Sequence, residues 1–76
     1  MTFEARLKDL RQKKKLTQQS AAVALGITVR QYQRFESGEQ RPGYDNLIHI
    51  ADLFDVSLDW LTGRTEQDQK TGDDAP

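Results

Sequence analysis

The sequence has no cysteine and a single histidine, His49. The first absence excludes a disulfide framework and a thiolate metal centre. The second leaves no cluster of nitrogen ligands, so neither a metal nor another cofactor is expected. Apolar runs reach only a few residues, and none is long enough to cross a bilayer as a helix. The opening MTFEARLKDL carries Glu4, Arg6, Lys8 and Asp9, where a secretion signal needs an unbroken apolar core. A cytoplasmic protein with no membrane association is the expectation. Strand-like alternation and internal repeats are missing as well. An enzyme would need a nucleophile and base, or a metal, set in a pocket. A 76-residue chain with one histidine and no cysteine offers neither.

What is present is one small domain. Apolar residues make up 36% and charged residues 30%, a balance that permits a modest core and leaves stability marginal. The net charge of -1 conceals a division. Residues 1–43 hold nine Lys or Arg against four Asp or Glu, a net of +5, and residues 44–76 hold two against eight, a net of -6. Such polarity can present a basic face to a polyanion and keep an acidic face in solvent. An ordinary mixed surface is the alternative.

Periodicity divides the chain into five short helices, an all-α fold. Phe3, Leu7 and Leu10 recur at i, i+4 and i+7, which predicts a first helix over 2–14. Lys13, Lys14 and Lys15 crowd its end, where positive charge suits the helix dipole. Thr17 can cap a second helix with Ala21, Ala22 and Leu25 facing inward, and Gly26 lies just past its end. Thr28 can cap a third, running to Ser37 and stopped at Gly38. The loop GEQRPG is punctuated by Pro42 and Gly43. A fourth helix over 44–54 sets Leu47, Ile50, Ala51 and Phe54 on one stripe, with His49 off it and exposed. Ser57 can cap LDWLT, in which Leu61 closes the core before Gly63. Beyond it only Ala75 is apolar. The expected division is a folded domain over 1–63 and a disordered polar tail over 64–76.

The third helix shows what the chain is for. Val29, Arg30, Gln33, Arg34 and Ser37 fall within an arc of about 140° at 100° per residue, with Tyr32 and Phe35 on the opposite side. One face is buried, and the other offers side chains that pair with base edges in a DNA major groove. Arg30 and Arg34 can each form a bidentate pair with guanine, Gln33 can pair with adenine, and Val29 can touch a thymine methyl. Val29 can instead cover the helix start, and Gln33 can lean toward phosphate. Gln18 opens the second helix, where free N–H groups and the dipole attract a phosphate. Thr28 and Ser37 are further positioning candidates. Arg41 can reach a phosphate or the minor groove, and Lys13 to Lys15 can add long-range attraction. The alternative for these residues is a solvated helix face, since Arg and Gln are good helix formers. RNA modules usually stack bases on exposed aromatics, whereas Tyr32 and Phe35 turn inward.

The stretch LTQQSAAVALGITVRQYQRFESGEQRP, followed by LIHIADLFDVSLDWLTG, resembles the helix-turn-helix domain of the lambdoid phage repressor and Cro family. Gln18, Ala22, Gly26, the ESG at 36–38 and the VSLDWL at 56–61 carry the likeness, which covers residues 3–63. The resemblance implies a five-helix, lambda-repressor-like domain whose second and third helices form the helix-turn-helix. It implies sequence-specific binding of double-stranded DNA, as a homodimer on a near-palindromic operator; the contact patch is small, so pairing is expected mainly on the DNA. The implied role is transcriptional regulation, as a repressor of phage or mobile-element type acting at the bacterial nucleoid. The family's base-reading positions fall on Val29, Arg30 and Arg34, although Val29 departs from the polar residue of several relatives. By the same likeness Gln18 also braces the recognition helix. Arg11 pairs with Glu36 to tie the first helix to the third, with a DNA contact as Arg11's alternative. Leu58 and Trp60 supply a two-fold contact, the alternative being that Trp60 caps its own core. Some domains with this fold bind proteins or act as antitoxins; outward arginines at 30 and 34 argue against that use.

Overall fold

Hydroxyl side chains open four of the five helices in the computed structural model, which describes residues 2–64. Apart from Arg64, the expected polar tail lies outside the described residues. The helices are α1 (Phe3–Lys13), α2 (Gln18–Leu25), α3 (Val29–Ser37), α4 (Tyr44–Phe54) and α5 (Leu58–Thr62). Thr2, Thr17, Thr28 and Ser57 each accept a hydrogen bond from the backbone N–H three residues on, satisfying a donor that the helix itself cannot. α1 is one residue shorter at each end than its periodicity predicts. Thr2 and Lys14 are its caps and not its first and last turns.

The ends of the helices repeat one device. Gly26, at φ +72°, takes the left-handed conformation, and the next N–H, from Ile27, returns to the carbonyl of Ala22 at 3.0 Å. Lys15 at φ +59° and Asp55 at φ +55° do the same without glycine. Leu16 N–H then reaches the Arg11 carbonyl at 3.1 Å, and Val56 N–H the Ala51 carbonyl at 3.0 Å. Each reversal turns an apolar residue onto the core: Leu16, Ile27 and Val56. The lysine run therefore does more than end a helix, because Lys15 makes the bend between α1 and α2.

Leu7, Tyr32, Phe35, Ile50 and Leu61 are fully buried at the centre of the bundle. Ala21 and Ala22, both with no exposed surface, let α2 lie close to α3 and α4. Leu10 and Leu47, on the expected stripes, are only partly buried and cover the rim. His49 is exposed. Arg6 is a charged residue turned inside: it is 5% exposed, donates to the Trp60 carbonyl, and sets its guanidinium 4.7 Å from the Trp60 ring centroid. It joins the start of the chain to α5.

Candidate nucleic-acid interface

α3 is nine residues long, too short to persist alone in water. Packing holds it. Tyr32 is 0% and Phe35 1% exposed, and burying two such side chains contributes roughly 2 to 3 kcal/mol each. Thr28 and Gly38, the latter at φ +82°, fix its two ends. The outward strip is then presented without freedom to roll: Arg30, Gln33, Arg34 and Ser37 are all exposed. Val29 is half-buried and packs against the core, so it covers the helix start while keeping an outer edge. Arg41 is exposed in the loop that follows.

Behind the strip sits one carboxylate with three donors. Arg11 Nε donates to Glu36 Oε2 at 2.5 Å and Arg11 Nη2 to Oε1 at 3.2 Å. The Tyr32 hydroxyl donates to Oε2 at 2.5 Å, and Gln18 Nε2 to Oε1 at 3.2 Å. Arg11 Nη1 also donates to the Leu16 carbonyl at 2.9 Å, so the same guanidinium fastens the α1–α2 turn. The Glu36 side chain is 4% and that of Arg11 13% exposed. Burial by itself would favour the neutral acid. The hydrogen bonds from Arg11, Tyr32 and Gln18, with the Arg11 charge, outweigh burial and hold the Glu36 carboxyl below the usual range. Burial first, then the hydrogen bond to Glu36, push the Tyr32 phenol well above its ordinary value. Glu36 is thus a charged anchor joining α1, α2 and α3.

Gln18 extends this network to the surface. Its Nε2 binds Glu36, and its Oε1 accepts from Gln33 Nε2 at 3.2 Å. Two other candidates already hold local partners. The Thr28 hydroxyl accepts from Gln31 N–H at 3.1 Å. The Ser37 hydroxyl donates to the Arg34 carbonyl at 3.1 Å and accepts from Glu39 N–H at 3.2 Å, which engages its one proton in the end of α3. Lys13 pairs with Asp9 at 3.2 Å on the same face of α1.

Leu58 and Trp60 lie apart from this face, on α5. Leu58 is 37% exposed and borders a shallow cavity of about 350 Å³ lined by Ile48, Ala51, Asp52, Val56 and Ser57. Trp60 is half-buried, packs on the core and carries Arg6 on its ring. Sequence reasoning missed Arg6, whose partner is 54 residues away. It also took Tyr32 as core alone. The i, i+4 spacing of Tyr32 and Glu36 was the available signal for their hydrogen bond.

A model of the helix-turn-helix family matches residues 7–61. The chain belongs to that family. This helix-turn-helix domain is 49% identical over 59 residues to the uncharacterized HTH-type transcriptional regulator YqaE of Bacillus subtilis, covering 78% of this chain and 51% of the relative. It is 38% identical over 69 residues to the cryptic phage CTXphi transcriptional repressor RstR of Vibrio cholerae, covering 91% and 62%. The chain thus spans about half to three fifths of the length of these curated relatives. In structure it is similar to the P22 c2 repressor solved in complex with a synthetic operator. The TM-score is 0.78 at 22% identity, over 82% of this chain and 94% of that one. That likeness shows the five-helix, lambda-repressor-like fold expected from the sequence.

Proposed function

We propose that this domain binds double-stranded DNA at specific sequences and regulates transcription, with α3 lying in the major groove. The observation that carries this reading is the two-sided build of α3, in which Tyr32 and Phe35 are buried while Arg30, Gln33 and Arg34 are exposed. Arg30 and Arg34 read guanine edges, Gln33 reads a base, and Val29 offers its outer edge to a thymine methyl. Gln18 at the N-terminus of α2, Thr28 and Arg41 position the backbone of the duplex, while the hydroxyl of Ser37, whose proton is held by the Arg34 carbonyl, serves the end of α3. The domain works by binding and not by catalysis, as a repressor of phage or mobile-element type in the bacterial cytoplasm, where operators are found.

One α3 reads only a few base pairs, so two copies act together on a near-palindromic operator. Leu58 and the adjoining cavity form a knob and a recess on one face, which a two-fold axis can match to each other. Trp60 backs that face. The matched patch is small, so pairing occurs mainly on DNA.

Affinity for a duplex measured against salt tests the central claim. Several phosphate contacts should give a straight, steeply falling plot of log affinity against log salt. A flat plot, or no binding to any member of a random duplex pool, would favour a protein partner instead.

A further inference from the structure

The geometry points to Glu36 as the residue that fixes which atom Gln33 shows to DNA: the side-chain carbonyl oxygen, an acceptor that recognises a base amino group. The inference rests on the proposed placement of α3 in the major groove. It begins from a chain of three side chains, Glu36–Gln18–Gln33, in which each link leaves the next a single polarity.

A carboxylate can only accept. Glu36 is kept ionised by Arg11, whose two N–H groups reach both of its oxygens. Gln18 must therefore turn its NH₂ toward Glu36, as it does at 3.2 Å. That places Gln18 Oε1 on the outer side, where it accepts, and Gln33 must in turn present its NH₂ to Gln18, also at 3.2 Å. Neither amide can flip without setting oxygen against oxygen at one of the two links. The polarity imposed by one buried charge is transmitted across the turn to the exposed surface of α3.

The remaining capacity of Gln33 is defined by elimination. Its Oε1 has no role in the chain, and one N–H is left at the side facing Gln18. In the major groove the bases that offer a donor are adenine, at N6, and cytosine, at N4; guanine and thymine show acceptors there. With the oxygen as its outward group, Gln33 favours adenine or cytosine at one position over guanine and thymine, which only its second N–H, on the side of Gln18, can meet. Gln18 keeps one N–H for a phosphate, so a single residue ties the backbone contact to the base contact. Gln18 and Glu36 are positioning residues for this choice, while Gln33 makes the contact.

The test is selection from a random duplex pool by the parent, Gln33→Met, Gln18→Met and Glu36→Gln, each held below its own melting temperature. The parent should favour adenine or cytosine at one position by about fivefold, the worth of one hydrogen bond. Gln33→Met should erase that preference and leave the rest of the motif intact. Gln18→Met frees the Gln33 amide without touching the Arg11–Glu36 pair. It should lower affinity at all sites and broaden the motif at that one position to include guanine and thymine. Glu36→Gln, which permits either polarity, should broaden the same position. If Glu36→Gln does not fold, Gln18→Met decides. An unchanged motif in Gln33→Met, or a preference that persists in Gln18→Met, overturns the inference while DNA binding stands. Failure of the parent to enrich any sequence overturns the DNA-binding proposal itself.

Discussion

Arg6 and Trp60 hold each other across the bundle: the guanidinium donates to the Trp60 carbonyl and lies 4.7 Å from the ring centroid. One face of the indole is therefore engaged within the domain. Trp60→Ala removes both that stacking and part of the core's cover, and should lower stability by about 2 to 3 kcal/mol. Chemical denaturation would show it as a fall in midpoint.

Leu58 is the better probe of pairing, since it is 37% exposed and closes no core. Leu58→Glu should leave the melting temperature and half-site affinity unchanged and abolish cooperative binding to a full site. Its half-sites should be centred about 34 to 36 Å apart. Titrations of half and full sites compare the two directly. Equal cooperativity in parent and variant would remove Leu58 from the interface.

Arg34 stands at the edge of the exposed strip with its side chain in solvent. Arg34→Ala should lose roughly 1 to 3 kcal/mol at one base pair and little on non-specific DNA. Competition assays with single-base operator variants locate the position. An equal loss on every sequence would mean that Arg34 holds phosphate.

Acid should weaken the domain through Glu36. Its carboxyl ionises more readily folded than unfolded, so the charge stabilises fully above the unfolded glutamate pKa of about 4.3. That contribution is lost as pH falls through the lower folded value. Urea unfolding between pH 7 and pH 2.5 should show this loss in the parent and a shallower one in Glu36→Gln. The variant should already be about 3 kcal/mol less stable at pH 7, because it strands Arg11 in a nearly buried site. Parallel curves would place the acid sensitivity elsewhere.

Two backbone changes should act in opposite directions. Lys15 occupies the left-handed region at φ +59°, which costs a residue with a Cβ about 1 to 2 kcal/mol. Lys15→Gly should raise stability by roughly 0.5 to 1 kcal/mol after the added chain entropy of glycine. Gly38→Ala should lower it, since φ is +82°, a backbone conformation that strains any residue with a Cβ. Thermal melts of the two variants should move apart in sign.

Helix order was readable because its signals are local. Thr17, Thr28 and Ser57 announce helix starts, and Gly26, Gly38 and Gly63 mark their ends. The reversals at Lys15 and Asp55 were not readable, because packing of Leu16 and Val56 forces a conformation that the residue type does not advertise. The outward strip on α3 followed from a helical wheel. The Gln18–Gln33 hydrogen bond did not, because its partners are 15 residues apart and their meeting depends on the angle between α2 and α3. Arg6 is the extreme case: a wheel sets it beside Leu10 at the edge of the apolar stripe, but only the return of α5 to α1 makes it an interior residue with a partner.

Glu36 has a calorimetric consequence. Its donors come from α1, α2 and α3 itself, so the helix proposed to read DNA is fastened to its neighbours before any duplex arrives. Association then need not order the protein, and the heat-capacity change should track the apolar area dried at the contact alone, without the large negative excess of coupled folding. Cutting the anchor would shift that balance: a loosened α3 would bind with a larger release of heat and a greater entropic penalty, even where affinity changed little.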